Sequence, residues 1–308
     1  MKILITGAAG HIGSKLTEQF SKKYKLFIID SLISGRYPSI FYSNSKKKFF
    51  FINEDILEYK DLDEVIKKVD IVIHLAAMTD ATKSVGMSDL YIKHNHAITK
   101  KVCKICAKHK KKLIYISSTS VYGTQKKIVD ENCSASELKP QSPYAKSKLL
   151  EEKTILNLRA KKKLKCIILR FGTIYGYSTG MRFHTAVNKF CFQASLNKKL
   201  TVWKTAINQK RPYLNLDDGI NFIIFVIKKN IFNGEIYNVV SHNLTVADVV
   251  KSIKKVKKNL KINLVKSAIM NQLSFEVSNK KVLKLGFKFK PNLQKQINKT
   301  IRQLNFLN

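Results

Sequence analysis

The stretch KILITGAAGHIG at residues 2–13 decides the fold of this 308-residue chain. Residues 3–6 form an apolar strand segment, and Gly7, Gly10 and Gly13 follow it in a G-x-x-G-x-x-G spacing. Small residues there allow the backbone to approach a pyrophosphate, whose charge is stabilised at the N-terminus of the following helix. The stretch therefore predicts a strand, a phosphate-binding turn and a helix, although an ordinary glycine turn has the same spacing.

Short apolar runs alternate with helical stretches over the first two-thirds of the chain. The predicted strands lie at 2–6, 25–30, 48–53, 70–74, 112–117 and 165–170. The predicted helices lie at 11–22, 58–68, 88–109 and 143–160. Such alternation is typical of a parallel sheet covered by helices on both faces. We therefore predict an α/β fold with a Rossmann-type doubly wound parallel sheet and a smaller, interleaved C-terminal α/β substrate domain.

The alternation loosens after residue 172, and no linker marks a boundary there. We expect an NAD-binding Rossmann domain over residues 1–172 and a mainly substrate-binding domain over residues 173–308. Segments near 213–240 are expected to return and complete the large sheet.

Asp30 lies at the end of the second predicted strand, seventeen residues after Gly13. At this place a carboxylate can accept hydrogen bonds from both ribose hydroxyls of NAD, and it repels the 2′-phosphate of NADP. Arg36 is the one nearby cation that would favour NADP. NAD is therefore the predicted cofactor, and the alternative role of Asp30 is to cap a turn.

Four segments at 6–13, 30–32, 55–56 and 74–77 together resemble the signatures of the extended short-chain dehydrogenase/reductase family. This family includes the NAD-dependent sugar-nucleotide epimerases and dehydratases, among them the UDP-glucose 4-epimerases. The resemblance implies that the cofactor contacts Gly7, Gly10, His11, Ile12, Gly13, Asp30, Asp55, Ile56, Leu75, Ala76, Ala77, Asn95, Ser117, Tyr144 and Lys148.

Within that set the resemblance assigns different roles. Asp55 and Ile56 would meet the adenine, and residues 75–77 would line the path to the nicotinamide. Asn95 matches a family asparagine near the active site. Most relatives have a bulky apolar residue where this chain has His11, so its side chain is expected to point away from the phosphates.

Tyr144 and Lys148 form a Y-x-x-x-K pair on the helix predicted at 143–160, whose first turn tolerates Pro143. Residues at i and i+4 share a helix face, so the phenol and the ammonium can point into one cleft. A free phenol is a poor base at neutral pH, and a neighbouring Lys ammonium stabilises the phenolate. A Tyr and a Lys at this spacing are common on helix surfaces, but their position after the fifth strand predicts a catalytic pair.

The segment YISSTSVYG at 115–123 is similar to a family motif that ends in V-Y-G and carries a catalytic Ser or Thr three residues before the Val. Counting back from Val121 gives Ser118, and Ser117 is the alternative. Ser118 would orient a substrate hydroxyl between Tyr144 and the cofactor.

The two residues after Ser118 differ from those of the sugar 4,6-dehydratases. These enzymes carry an Asp-Glu pair there, whereas this chain has Thr119 and Ser120. Neither hydroxyl can act as that acid or base at neutral pH, so dehydration is not expected.

The resemblance implies substrate contacts for Ser118, Thr119, Tyr144, Thr173, Arg182, Trp203 and Arg211. Arg211 would bind the substrate diphosphate, because a planar bidentate cation suits phosphate oxygens. A salt bridge from Arg211 to Asp217 or Asp218 is the alternative. Trp203 would stack on the nucleotide base or, alternatively, pack in the core. Arg182 lies in the segment that closes over the sugar in this family.

The net charge of +36 at first suggests a nucleic-acid partner. Only six of the 57 basic residues are Arg, however, and sites that read bases or grip phosphates favour Arg. We therefore interpret the lysines as solvated surface and expect no nucleic-acid partner.

The remaining features bound the protein's setting. The five cysteines form no dense framework, and Cys103, Cys106 and His109 lie on one predicted helix without a second ligand pair, so no metal is expected. The absence of a long apolar run predicts a cytoplasmic protein that does not enter a membrane. The family commonly dimerises through the helices predicted at 88–109 and 143–160, which implies a homodimer.

These observations together favour an NAD-dependent epimerase acting at C4 of a nucleotide hexose such as UDP-glucose or UDP-galactose. The alternative is an NAD(P)-dependent reductase or dehydrogenase of a nucleotide 4-keto-sugar. A non-catalytic NAD-sensing protein on the same fold commonly loses the Tyr/Lys pair, which this chain retains in Tyr144 and Lys148.

Overall fold

Apolar strand segments and capped helices form the elements of this protein, as seen in a computed structural model that describes residues 1–41, 49–79, 88–123, 128–266 and 274–305. The strands are β1 (Lys2–Thr6), β2 (Lys25–Ile29), β3 (Phe49–Ile52), β4 (Ile71–His74), β5 (Lys112–Ser118), β6 (Ile128–Val129), β7 (Cys166–Phe171), β8 (Thr173–Tyr175), β9 (Leu200–Trp203), β10 (Lys210–Asn215), β11 (Ile236–Val239), β12 (His242–Thr245), β13 (Ile262–Val265) and β14 (Glu276–Val277). The helices are α1 (His11–Phe20), α2 (Pro38–Phe41), α3 (Leu62–Lys67), α4 (Ser88–Lys108), α5 (Pro143–Lys162), α6 (Ala186–Ser195), α7 (Leu216–Lys229), α8 (Val246–Lys254), α9 (Lys280–Lys284) and α10 (Leu293–Leu304).

Seven parallel strands form the central sheet in the order β11-β7-β5-β4-β1-β2-β3. The chain runs outward from β1 through β2 to β3 and then crosses to β4 on the other side of β1. In such open sheets, ligands bind at the carboxyl ends of the strands where the order reverses. This topology confirms the predicted α/β fold, and the crevice between β1 and β4 is where the cofactor is expected.

Helices cover both faces of the sheet. Ile3 and Ile5 of β1 belong to the core under α1 and α7, whereas Leu4 between them belongs to the core under α4 and α5. This alternation follows from the two-residue period of a strand. Every residue of β4 and β7 is buried, as expected for strands covered on both faces.

The later part of the chain forms smaller sheets beside the central one. β8, β10 and β12 make a three-stranded sheet, β9 pairs with β13, and β6 pairs with β14. The segments near 213–240 complete the large sheet only in part: β11 joins it beside β7, whereas β10 lies in the three-stranded sheet. A separate core lies between α6, α8 and α10.

Helix α5 starts where the sequence indicates. The Ser142 side chain caps it by accepting a hydrogen bond from the Ala145 amide at 3.2 Å, and Pro143 takes the first helical position. The helix ends at Lys162, and the next residue, Lys163, adopts the left-handed conformation with φ 52°. Tyr144 and Lys148 therefore lie in the first two turns of α5, which packs against α4 and β5.

Within the described ranges, the structure has no helix that is long and apolar enough to cross a membrane.

Candidate active site

The glycine loop after β1 is packed tightly against neighbouring backbone. Gly7 has a φ of +70°, which favours glycine, and its amide donates to the Ile29 carbonyl at 2.8 Å. A Cβ at residue 7 would lie 2.7 Å from the Ala76 nitrogen, and one at Gly13 would clash with the Gly7 carbonyl oxygen. Only glycine fits these positions, so the backbone forms a cradle at the N-terminus of α1, as a pyrophosphate site requires.

Asp30 lies beside this loop at the end of β2. One carboxylate oxygen accepts from the Ala9 amide at 2.9 Å, and the other accepts from the Leu32 amide at 2.9 Å. Both the turn-capping role and a position facing a ribose are therefore compatible with its geometry. Burial lowers the pKa of Arg36, and the negative charge of Asp30 opposes that effect, so this cation lies near the carboxylate.

A segment from the later half of the chain docks onto the first turn of α1. The His11 ring nitrogen Nε2 donates to the Gly176 carbonyl at 2.7 Å, and the Ser178 hydroxyl donates to the His11 carbonyl at 2.8 Å. The Gly180 amide donates to Ser14 Oγ at 3.1 Å, and a Cβ at residue 180 would clash with the Ala9 carbonyl oxygen. The His11 side chain thus joins the two halves of the chain, and burial lowers its pKa to about 4.

The loop after β4 is fixed from both sides. Thr6 Oγ1 accepts from the Leu75 and Ala76 amides at 3.2 and 3.3 Å. The Asn95 side chain accepts from the Met78 amide at 2.8 Å and donates to the Met78 carbonyl at 2.9 Å. Asn95 is fully buried, so its side chain positions the loop that contains Leu75, Ala76 and Ala77.

Asn95 also connects this loop to α5, because its amide nitrogen donates to Ser147 Oγ at 3.2 Å. Further along the strand edge, Asp55 Oδ1 accepts from the Leu57 amide at 2.7 Å, and Ile56 is buried in the core under α4.

Tyr144 and Lys148 lie together at one end of α5. The Lys148 ammonium is 5.9 Å from the centroid of the Tyr144 ring and is almost fully buried, whereas Tyr144 is partly exposed. Lys148 Nζ donates to the Tyr115 hydroxyl at 3.1 Å and lies 3.4 Å from Glu151 Oε2. The pair therefore combines a phenol open to a ligand with a cation held behind it.

Ser117 and Ser118 point in opposite directions at the end of β5. The buried Ser117 hydroxyl donates to Glu152 Oε1 at 2.5 Å, so its side chain is directed into the protein. Ser118 is partly exposed, and its oxygen accepts from the Ser120 amide at 3.1 Å. Ser118 is therefore better suited than Ser117 to meet a substrate. The next residue, Thr119, is buried and donates weakly to the Phe171 carbonyl at 3.4 Å.

The predicted substrate residues lie on several elements of the later half. Thr173 begins β8, just after the end of β7. Arg182 follows the segment at 176–180 that contacts α1, and its positive charge helps to lower the pKa of His11. Arg211 lies on β10, where its guanidinium donates to Gln209 Oε1 at 2.7 Å and lies 6.0 Å from the Phe275 ring. Burial lowers the pKa of Arg211. Trp203 is 42% exposed, so the alternative that it packs in the core is wrong.

A buried ion pair beside the site is absent from the sequence prediction. Arg170 of β7 donates to both Glu152 oxygens, from Nε at 3.0 Å and from Nη2 at 2.7 Å, and its Nη1 donates to the Tyr122 hydroxyl at 2.9 Å. Burial opposes the charge on Arg170, but the contacts with Glu152 outweigh that effect and raise its pKa. Glu152 lies four residues after Lys148, so helical periodicity would have placed it on the same buried face.

This arrangement corresponds to a known family. Residues 3–239 match the NAD dependent epimerase/dehydratase family, which covers most of the chain. The chain belongs to this family. The prediction from the glycine loop, Asp30 and the Y-x-x-x-K pair is thereby confirmed at the level of the family.

Three relatives illustrate the range of the epimerase/dehydratase family. Uncharacterized UDP-glucose epimerase YtcB of Bacillus subtilis (strain 168) is 34% identical over 250 residues, which are 78% of this chain and 76% of that protein. The dTDP-D-glucose 4,6-dehydratase of Dictyostelium discoideum is 31% identical over 269 residues, 82% of this chain and 61% of that protein. The crystal structure of a UDP-glucuronic acid 4-epimerase from Bacillus cereus, in complex with UDP-glucuronic acid and NAD, has a TM-score of 0.90 at 28% identity and covers 100% of both chains.

Membership of the epimerase/dehydratase family makes this protein an NAD-dependent enzyme of the extended short-chain dehydrogenase/reductase type. Its residues fit that cofactor, because the Gly7 and Gly13 cradle leaves no room for side chains and Asp30 presents a carboxylate beside it. Among the residues the structure describes, no group of three or more His, Cys, Asp or Glu side chains is arranged to hold a metal ion.

Proposed function

We propose that this enzyme is a nucleotide-sugar 4-epimerase acting on an NDP-hexose of the UDP-glucose or UDP-galactose kind. The observation that carries the proposal is the combination of a partly exposed Tyr144 backed by Lys148 with Thr119 and Ser120 after Ser118. The Tyr/Lys pair supports oxidation of a secondary alcohol, and the hydroxyl residues provide no acid or base for dehydration.

Each catalytic side chain has a role in this proposal. The Tyr144 phenolate takes the proton from the C4 hydroxyl of the sugar, and Ser118 holds that hydroxyl by a hydrogen bond. Lys148 stabilises the phenolate from behind. NAD held by the glycine loop and Asp30 would supply the hydride acceptor for C4 and the donor for the other face of the 4-keto sugar. Tyr144 then gives its proton back to the new hydroxyl.

The binding residues divide between the two halves of the chain. The glycine loop and Asp30 would hold NAD, with the carboxylate on the ribose hydroxyls and against a 2′-phosphate. Arg211 would hold the substrate diphosphate, Trp203 would stack on the nucleotide base, and Arg182 and Thr173 would face the sugar. The glycine loop and Asp30 precede residue 172, whereas these four substrate residues all follow it. That division supports a cofactor domain over 1–172 and a mainly substrate-binding domain over 173–308.

A substrate screen tests the proposal. Purified enzyme is incubated with single UDP- and dTDP-hexoses and with UDP-glucuronic acid, without added cofactor, and the products are followed by nuclear magnetic resonance. We expect one 4-epimer pair to interconvert without net formation of NADH. The Tyr144→Phe variant should be slower by about 10²–10⁴-fold, because it lacks the proton-transferring group.

Two results would overturn the proposal. Stoichiometric consumption of NADH or NADPH with a nucleotide 4-keto-sugar would select the reductase of the same family instead. A dehydrated 4-keto-6-deoxy product would show that the Thr119 and Ser120 argument is wrong.

A homodimer through α4 and α5 is also proposed, since the family commonly pairs these helices. Both helices carry exposed lysines in this chain, at Lys93, Lys100, Lys104, Lys146 and Lys153. Two copies meeting on this face would bring like charges together, so association should depend on the salt concentration.

A further inference from the structure

Glu151 is a buried carboxylate that the proposed mechanism does not use. It is fully buried on α5, three residues after Lys148, and its Oε2 lies 3.4 Å from the Lys148 ammonium. The Thr99 and Tyr115 hydroxyls each donate to the same Oε2 at 2.6 Å. Burial raises the pKa of Glu151, but the charge of Lys148 and these two hydrogen bonds outweigh it and lower that pKa. Glu151 is therefore ionised at neutral pH.

A directed chain of hydrogen bonds connects Glu151 to the cofactor loop. Thr99 donates to Glu151, so its oxygen accepts from His74 Nε2 at 3.1 Å. The other ring nitrogen, Nδ1, then accepts from Thr6 Oγ1 at 2.7 Å. His74 is neutral in this arrangement, since burial lowers its pKa to about 3. The Thr6 oxygen in turn receives the amides of the loop at residues 75–76.

The charge of Glu151 is less fully compensated than that of its neighbour Glu152. Both Glu152 oxygens accept from Arg170 in a bidentate pair. In contrast, Glu151 Oε1 has no hydrogen-bond partner among the residues that the structure describes. An ionised, partly unsatisfied carboxylate is costly in a protein interior, and an apolar side chain would fill the position without that cost.

The cation behind Tyr144 is thus shared between two groups. Lys148 Nζ lies 3.4 Å from the carboxylate oxygen but 5.9 Å from the centroid of the Tyr144 ring. Because electrostatic attraction falls with distance, the carboxylate offsets part of the positive field that the ammonium exerts on the phenol. It also fixes where that ammonium lies.

We propose that Glu151 is a positioning residue of the hydride-transfer site, holding Lys148 behind Tyr144 and moderating the positive charge that Tyr144 experiences. The inference rests on the proposed role of Tyr144 as the base. It predicts that loss of the Glu151 charge makes the phenolate easier to form.

Other ionisable groups around Glu151 do not account for such an effect. The groups that face it are His74 from β4, His96 and Cys103 from α4, Tyr115 from β5 and Lys148 from α5. Burial raises the pKa of Cys103 and of Tyr115 well above their usual ranges, and it lowers those of His74 and His96. These four groups are therefore neutral around and above neutral pH.

The test uses two variants of Glu151 in the NAD-bound enzyme. Glu151→Gln keeps the shape and an acceptor for Lys148 but removes the charge, and Glu151→Asp keeps the charge but withdraws it by one methylene. We expect the acid limb of the pH profile of kcat/KM to move about one unit to lower pH in Glu151→Gln. The acid limb of Glu151→Asp should lie between those of Glu151→Gln and the wild type.

A matched control separates this effect from a structural one. Glu137→Gln removes another buried carboxylate, which caps a short helical turn at residues 135–137, and its acid limb should remain that of the wild type. Thermal melts and NAD titrations establish that each variant is folded. The proposal is overturned if the acid limb of kcat/KM lies at the same pH in Glu151→Gln as in the wild type. If Glu151→Gln does not fold, an unmoved acid limb in Glu151→Asp overturns it instead.

A second readout does not depend on finding the substrate. The near-ultraviolet absorbance of the Tyr144 phenolate is obtained as the difference between each NAD-bound enzyme and its Tyr144→Phe counterpart across a pH series. Ionisation at lower pH in Glu151→Gln than in the wild type supports the inference. Identical phenolate titrations in Glu151→Gln and the wild type refute it, even if the proposed epimerase activity is established. Because the measurement needs no substrate, it can be made even if the substrate screen fails.

Discussion

Replacing Glu152 by Gln should destabilise the enzyme more than its single lost charge suggests at first. Glu152 and Arg170 are almost fully buried, with 2% and 3% of their side chains exposed. The substitution leaves the guanidinium charge inside the protein without its partner. Surviving contacts to Tyr122 and to the Gln oxygen retain only part of the hydrogen bonding.

The size of the effect follows from this geometry. Breaking a buried pair by removing one partner costs about 3–5 kcal/mol, and the retained hydrogen bonds place this case near the lower end, at about 3 kcal/mol. With an unfolding entropy of about 2.1 cal/mol/K per residue over 308 residues, the melting temperature should fall by about 5 °C.

The assay is thermal unfolding followed by circular dichroism at neutral pH. The matched control is Glu64→Gln, which breaks the exposed pair between Glu64 and Lys67 and should change the free energy of unfolding by less than about 0.5 kcal/mol. The double variant Glu152→Gln/Arg170→Met removes both charges and should recover part of the loss. Equal melting temperatures for Glu152→Gln and Glu64→Gln, or a double variant that is no more stable than Glu152→Gln, would refute the reasoning.

Three further predictions follow from other features. Asp30→Asn should weaken NAD binding by about tenfold in titration calorimetry, since a charged acceptor is lost. It should also reduce the preference for NAD over NADP, and tighter binding of NADP than of NAD by the wild type would contradict this. The folded-state pKa of His11 is about 4 and its unfolded value 6.5, so the unfolded chain binds more protons between these pH values and stability falls as pH falls through that window. His11→Gln keeps a donor for the Gly176 carbonyl but does not titrate. Its free energy of unfolding should therefore fall by about 2 kcal/mol less than that of the wild type between pH 7 and pH 5, and equal decreases in the two proteins would contradict this. A dimer through α4 and α5 should tighten as salt rises, because screening weakens the lysine repulsion, and sedimentation showing weaker association at high salt would exclude that face.

The central sheet could be predicted because its strands are short and continuously apolar. The third strand is found at Phe49–Ile52 rather than at 48–53, and residue 48 lies outside the described residues. The small strands β8, β12 and β14 could not be predicted, since two to four residues without apolar alternation give no periodic signal. Their pairing is set by tertiary contacts.

The residues proposed to be catalytic could be picked out in the sequence for a different reason. Tyr144, Lys148 and Ser118 lie in motifs whose spacing is fixed by one helix and one strand end. His11 bonding to Gly176 joins residues 165 apart in sequence, and no local pattern reports such a contact. Glu151 shares a buried helical face with Lys148, so periodicity counted from Lys148 would have indicated it.

The docking of residues 176–180 onto the first turn of α1 has a practical consequence for building hybrid enzymes. The His11 ring and the Ser14 hydroxyl are hydrogen-bonded to that distant segment, and a side chain at Gly180 would clash with the Ala9 carbonyl. A glycine loop exchanged with a relative would meet a surface shaped for different side chains. Residues 7–14 and 176–180 should therefore be transplanted as one unit, and a chimera joined at residue 172 should bind NAD well only when both come from the same parent.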